Sequence, residues 1–174
     1  MFSKFTQFLF FPPNKKYLIV DRQGSEVLFR NGLISKFDTH ILDMRRLDKF
    51  LNFWVIVYGI IRFLPLIKKS KYAWIVASTA ALVKPKFVIT FMDYILHFYL
   101  LKEVYPQPTY ISIQVGRRAG EPGTFFDLVQ KKAKTTNLTC DYILTYSNSH
   151  ASRKFKRLGQ WRLLQCVLGF VKFV

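Results

Sequence analysis

Two short apolar runs constrain the fold of this chain more than anything else in it. Lys84-Pro-Lys-Phe-Val-Ile-Thr-Phe-Met-Asp93 reads as a buried strand running into an acidic residue. Tyr110-Ile-Ser-Ile-Gln-Val-Gly-Arg-Arg118 reads as a second strand running into a Gly/Arg loop. A helix-length apolar segment separates them. Strand, helix and strand in that order form the crossover unit that parallel pairing requires. Open parallel sheets bind ligands outside the carboxyl ends of their strands, and both runs place polar groups there.

The rest of the chain continues the alternation. Tyr17-Leu-Ile-Val20 is an expected first strand with Asp21 at its end, and Ser25 is expected to cap a short helix after the turn. Residues 37–43 form a weaker second strand. Leu47, Phe50, Leu51, Trp54, Val55 and Tyr58 recur at helical spacing, which predicts a helix over 45–62. Lys68-Lys-Ser-Lys71 reads as a charged break. An Ala-rich helix over 72–83 follows, ended by Pro85. Strands are expected at 87–90, 110–114 and 141–146. Helices are expected at 94–103, at 124–134 with Thr124 as cap, and at 149–158. The pattern predicts an α/β, Rossmann-like parallel sheet with helices on both faces. One such domain occupies 16–158, between a basic and aromatic arm at 1–15 and an apolar tail at 159–174.

Composition narrows the partners. With 174 residues and a hydrophobic fraction of 51%, the chain can bury one ordinary core. It carries 27 Lys+Arg against 10 Asp+Glu, a formal net charge of +17, which favours nucleic acid, acidic lipid or phosphorylated ligands. Cys140 and Cys166 stand apart, with no CxxC or Cys/His cluster, so no metal and no cofactor is implied. They fit a reducing compartment. Asn137-Leu-Thr139 matches the glycosylation tripeptide, which is read as chance. Phe50 to Ile67 is the strongest membrane candidate. Asn52, Gly59, Arg62 and Pro65 interrupt it, so a buried or interfacial helix is the expectation.

Phe87-Val-Ile-Thr-Phe-Met-Asp93 and Ile111-Ser-Ile-Gln-Val-Gly-Arg-Arg118 resemble motifs of a bacterial family of surface carbohydrate biosynthesis proteins. That family is similar to glycosyltransferases of the two-Rossmann-domain (GT-B) type and, in outline, to CDP-glycerol glycerophosphotransferases. Tyr17 to Leu28 resembles its first strand and turn, and Asp141 to Ala151 a later strand and helix. The resemblance covers Lys16 to Leu158. Tyr94 and Val115 depart from it, each standing where the family pattern has Asn.

The resemblance implies the acceptor-side, N-terminal half of such a transferase. Its partners would be a glycan or lipid-linked acceptor and, only with a second domain, a nucleotide-activated donor of a sugar or polyol phosphate. The tail lacks the expected interdomain motifs, as in a truncated or frameshifted gene or one half of a split enzyme. The expected place is the cytoplasm, at the inner face of the plasma membrane.

Each candidate residue has a plain structural reading beside the functional one. Asp93 is a candidate base toward an acceptor hydroxyl; it would equally cap the next helix. Gln114, Gly116, Arg117 and Arg118 form a loop suited to phosphate oxygens, or a solvated basic turn. Asp21, Arg22, Gln23 and Gly24 occupy a ligand-facing position, or an ordinary turn. Lys68, Lys69, Lys71, Arg153, Lys154, Lys156 and Arg157, with Lys131, Lys132 and Lys134, suit an anionic membrane surface or simply water. His40, His97 and His150 are dispersed, and no Ser/His/Asp or Cys/His set is legible.

Two other classes compete. One is a basic nucleic-acid-binding module, drawn from the net charge. No RRM, OB, KH or helix-turn-helix signature accompanies it. The other is a small membrane protein using 50–67 and 87–101, which would bury Asp93 and His97 within a span.

Overall fold

A computed structural model describes residues 9–22, 24–44, 52–91, 95–113, 139–144 and 162–163. Its elements run β1 (Tyr17–Val20), α1 (Ser25–Arg30), β2 (Thr39–Leu42), α2 (Phe53–Lys69), α3 (Lys71–Val83), β3 (Phe87–Thr90), α4 (Leu96–Tyr99), α5 (Leu101–Val104), β4 (Thr109–Ile113), β5 (Tyr142–Leu144) and β6 (Arg162–Leu163). The six strands form one sheet in the order β2-β1-β3-β4-β5-β6. Every pairing is parallel, with Val20, Thr90 and Ser112 in register across β1, β3 and β4. The chain is an α/β, Rossmann-like domain.

Alternation along the strands builds two cores. Leu18, Val20, Val88 and Tyr110 face one side, where they meet α3, Phe98, Tyr99 and Leu101. Ile19, Ile89, Ile111 and Ile113 face the other, beneath Leu28 and Phe29 of α1 and Ile34. A strand order that reverses direction sends its right-handed connections to opposite faces. The step from β1 to β2 accordingly puts α1 on one face. The steps from β2 to β3 and from β3 to β4 put α2 through α5 on the other.

The α2–α3 pair forms two layers over that second face. Every residue of α3 from Ala73 to Val83 is buried. Its two hydroxyls do not spoil this, because Ser78 and Thr79 donate back to Trp74 and Ile75 carbonyls at 2.6 and 2.9 Å. Helix α2 lies over α3 and approaches it closely at Gly59. A Cβ there would fall 2.5 Å from Ser78 Oγ and 2.6 Å from the Trp74 ring, so only glycine fits the crossing.

Several boundaries differ from those expected. Helix α2 runs on to Lys69 rather than ending at 62, with Pro65 inside it and a kink at Phe63 (φ −124°, ψ 20°) that accommodates the missing N–H. Residues 45–51 lie outside the described residues. The charged break at 68–71 shrinks to Ser70. Its N–H donates to Leu66 O at 2.8 Å, and its Oγ accepts from Ala73 N at 3.1 Å, so one residue ends α2 and caps α3.

Ser25 is not a cap. Gly24 holds that position at φ 89°, and the Ser25 hydroxyl donates to Arg22 O. The helix expected over 94–103 is two single turns, because Phe98, Tyr99 and Leu101 all turn inward and spread over more than one helix face. Strand β4 is described over Thr109–Ile113, and Gln114 lies outside the described residues. Within the tail read only as apolar, Arg162–Leu163 pairs with β5. The helices expected at 124–134 and 149–158 lie outside the described residues.

Candidate functional site

The strand order reverses between β1 and β3, which are neighbours although β2 intervenes in sequence. From β1 the chain leaves toward one side of the sheet, and from β3 toward the other. In doubly wound sheets such a reversal, where connections leave toward opposite sides at the carboxyl ends, is the usual ligand position.

Asp21 follows β1 at this edge of the sheet. It is 1% exposed and holds φ at 82°, a backbone region that costs an L-residue energy and that aspartate tolerates better than most. Its N–H donates to Leu42 O at 2.8 Å, which ties the turn to the end of β2. Arg22 is exposed beside it. The Arg22 carbonyl accepts from both Ser25 N and Ser25 Oγ, closing the turn into α1. Gly24 then comes against Phe91, the residue after β3: a Cβ on Gly24 would lie 2.7 Å from that ring. The residues that follow β1 and β3 are thus packed against each other at the reversal. A strained, buried carboxylate at a strand-order reversal is a reason to look for function there.

Near the carboxyl ends of β3 and β4, Thr90 and Ser112 sit side by side in register, both fully buried. Ser112 Oγ and Tyr99 OH are 3.1 Å apart. Sequence reasoning passed over both hydroxyls and Phe91, since each looks like ordinary strand filling. A polar residue in an otherwise apolar run near a strand's carboxyl end was the available signal.

Of the expected site residues, the structure places Asp21, Arg22 and Gly24 at the carboxyl end of β1, beside the β1/β3 reversal. Gln23, Asp93, Gln114, Gly116, Arg117 and Arg118 lie outside the described residues. So do Arg153, Lys154, Lys156 and Arg157. β1, β3 and β4 all end on the same edge of the sheet, so the segments leading to Asp93 and Gln114 depart from the edge that carries Asp21. Lys68, Lys69 and Lys71 are exposed together at the α2–α3 junction.

The opposite, amino edge holds a second polar group. Asp141 Oδ2 accepts from Tyr110 N at 2.8 Å and pairs with Lys102 Nζ at 2.9 Å. Lys102 also donates to Pro106 O and Pro108 O, and Tyr110 OH donates to Tyr105 O at 2.7 Å. Cys140 Sγ donates to Tyr110 O and Tyr142 O. Burial pushes the Cys140 thiol up to about 12, aided by the nearby Asp141 charge. Burial likewise raises Tyr110, with Tyr105, Asp141 and Cys140 adding to it. A thiol so held is not a nucleophile at neutral pH. His40 in β2 is lowered by burial and by Lys15. Among the described residues, no group of three or more His, Cys, Asp or Glu side chains is placed to hold a metal ion.

Strand order and connections together define a doubly wound α/β domain whose candidate ligand site is the β1/β3 reversal. No protein-family model matches the chain, and no curated protein or solved structure matches it.

Proposed function

We propose that the chain is the acceptor-side domain of a glycosyltransferase-like protein of surface carbohydrate biosynthesis. It would act with a nucleotide-binding second domain to transfer a sugar or polyol phosphate. The observation that supports this reading is the β1/β3 strand-order reversal with Asp21 at its carboxyl edge. A carboxylate there accepts hydrogen bonds from the hydroxyls of a glycan or polyol, and the adjacent Arg22 offers a fork to a phosphate. In this proposal Asp93, three residues beyond β3 in the chain, is the base toward the acceptor hydroxyl, and Gln114 to Arg118 attract its anionic part. Donor binding belongs to the second domain, because a transferase of this type closes its site between two domains. The resemblance of the strand-end motifs to the carbohydrate-biosynthesis family supports the same assignment.

The test is calorimetric titration of the purified chain with a panel of glycans and polyol phosphates and, separately, nucleotide sugars. Binding is expected from the first group, weakened at least tenfold by Asp21→Asn, with none from the second. Tight binding of a nucleotide sugar would overturn the proposal. So would sugar transfer by this chain by itself that Asp93→Ala abolishes.

A further inference from the structure

Helix α2 is apolar on both sides, yet among the described residues only one side packs into the core. Val55, Gly59, Phe63 and Leu66 face α3 and are buried. Phe53, Val57, Ile60, Ile61 and Leu64 recur at the spacing of a single helical stripe on the other side. Of these, Phe53, Ile60, Ile61 and Leu64 are exposed, Ile61 to 78%. No charged residue interrupts the stripe until Lys68 continues it at the helix end. Lys69 and Lys71 stand beside Lys68, all three exposed.

The amino end of the helix widens the surface. Trp54 Nε1 donates to Leu9 O and Asn52 Nδ2 donates to Phe10 O, both at 2.8 Å. The Phe11 and Trp54 rings pack at 6.0 Å. These bonds fasten Leu9, Phe10 and Phe11 beside the stripe, and all three are exposed. The result is a continuous apolar ridge with aromatic rings at one end and a lysine cluster at the other.

We infer that this ridge docks on an anionic lipid bilayer, with α2 lying in the interface plane. Three observations select a bilayer. The ridge is apolar and aromatic, as interfacial helices are. Its basic end meets acidic headgroups while its stripe enters the acyl boundary. A second copy of the chain would bring another net charge of +17 against the first, which opposes self-association and favours an acidic surface. The helix lies on the bilayer rather than through it. At 17 residues with Pro65 inside, it is short for a span, and no helix among the described residues is long and apolar enough to cross a membrane. This inference does not rest on the glycan-transfer reading, and either can fail without the other.

The experiment is co-sedimentation of the full chain with vesicles of neutral phosphatidylcholine alone or with about one third phosphatidylglycerol. Binding to the acidic vesicles is expected at least tenfold tighter than to the neutral ones, and weakened by added salt. The double variant Ile61→Glu, Leu64→Glu is expected to lose at least tenfold in binding while keeping its thermal melt, since both side chains already face solvent. A second variant, Lys68→Gln, Lys69→Gln, Lys71→Gln, is expected to lose the preference for acidic vesicles. Trp54 fluorescence is expected to shift to the blue on binding, a change absent in Trp54→Phe. Vesicle binding indifferent to the Ile61/Leu64 substitutions would overturn the inference, since charge by itself would then explain it. So would dimerisation abolished by those substitutions in a chain that ignores vesicles.

Discussion

Two aspartates at opposite edges of the same sheet show how place decides what a carboxylate does. Asp141, at the amino edge, is committed: it receives a backbone N–H from Tyr110 and the ammonium of Lys102, and Lys102 in turn holds two proline carbonyls. It joins β4, β5 and the α5–β4 turn, and its chemistry is used up by structure. Asp21, at the carboxyl edge, is more deeply buried and holds a left-handed backbone at a strand-order reversal. Backbone strain persists only where the surroundings enforce it. The amino edge ties its carboxylate to a lysine and a backbone N–H, and the carboxyl edge holds its carboxylate buried on a left-handed turn bonded to Leu42 O.

Substitutions at the two edges should therefore have opposite signatures. The largest effect is expected from Asp141→Ala. It strips the buried Tyr110 N–H of its acceptor and takes the carboxylate from Lys102, which keeps only its two proline carbonyls, a loss of about 2–3 kcal/mol; urea unfolding measures it, and Asp141→Asn should recover part. A cost below that of an ordinary surface substitution would break the comparison.

High pH should weaken the same edge. Cys140 and Tyr110 both have folded values raised above their ordinary ones of 9.0 and 10.0. The folded state thus holds these protons more tightly than the unfolded state does. Their contribution is complete below about 9 and is lost as pH rises from there through about 12. Melting temperatures should fall over that window and fall less steeply in Cys140→Ala; identical slopes would remove Cys140 from the account. The smallest stability effect is expected from Asp21→Gly. Relief of the positive φ offsets the lost side-chain contacts and the freer unfolded chain, so stability stays within about 1 kcal/mol of the parent, while ligand binding disappears. A loss as large as that of Asp141→Ala would make Asp21 a structural residue.

The strands were legible because each is a short β-branched run bounded by a turn signal, and β1 and β3 fall where the sequence puts them. The face changes were implied by the alternation of strands with helices. Strand order was not, since nothing local in Tyr17–Val20 says that it lies between β2 and β3. Helix ends were misread where tertiary packing overrode local rules. Pro65 survives inside α2 because a kink at Phe63 absorbs it. The end of α3 at Val83 falls where Pro85 places it, with Lys84 in the left-handed position (φ 51°, ψ 52°) that glycine usually takes. Arg162–Leu163 has too few residues to show a period. At the site, the sequence nominated Asp21 from its position after a strand, but not its burial or its dihedral. Those depend on Leu42 and Phe91, which are distant in the chain.

The central claim is that ligand enters at the carboxyl edge, beside Asp21. NMR amide shifts, followed while glycerol phosphate and short oligosaccharides are titrated into the chain, test it most directly. The account predicts shifts gathered at Asp21, Arg22, Gly24 and Phe91, and suppressed in Asp21→Asn. Shifts gathered instead around Lys102, Tyr110 and Asp141, or unchanged by Asp21→Asn, would contradict it.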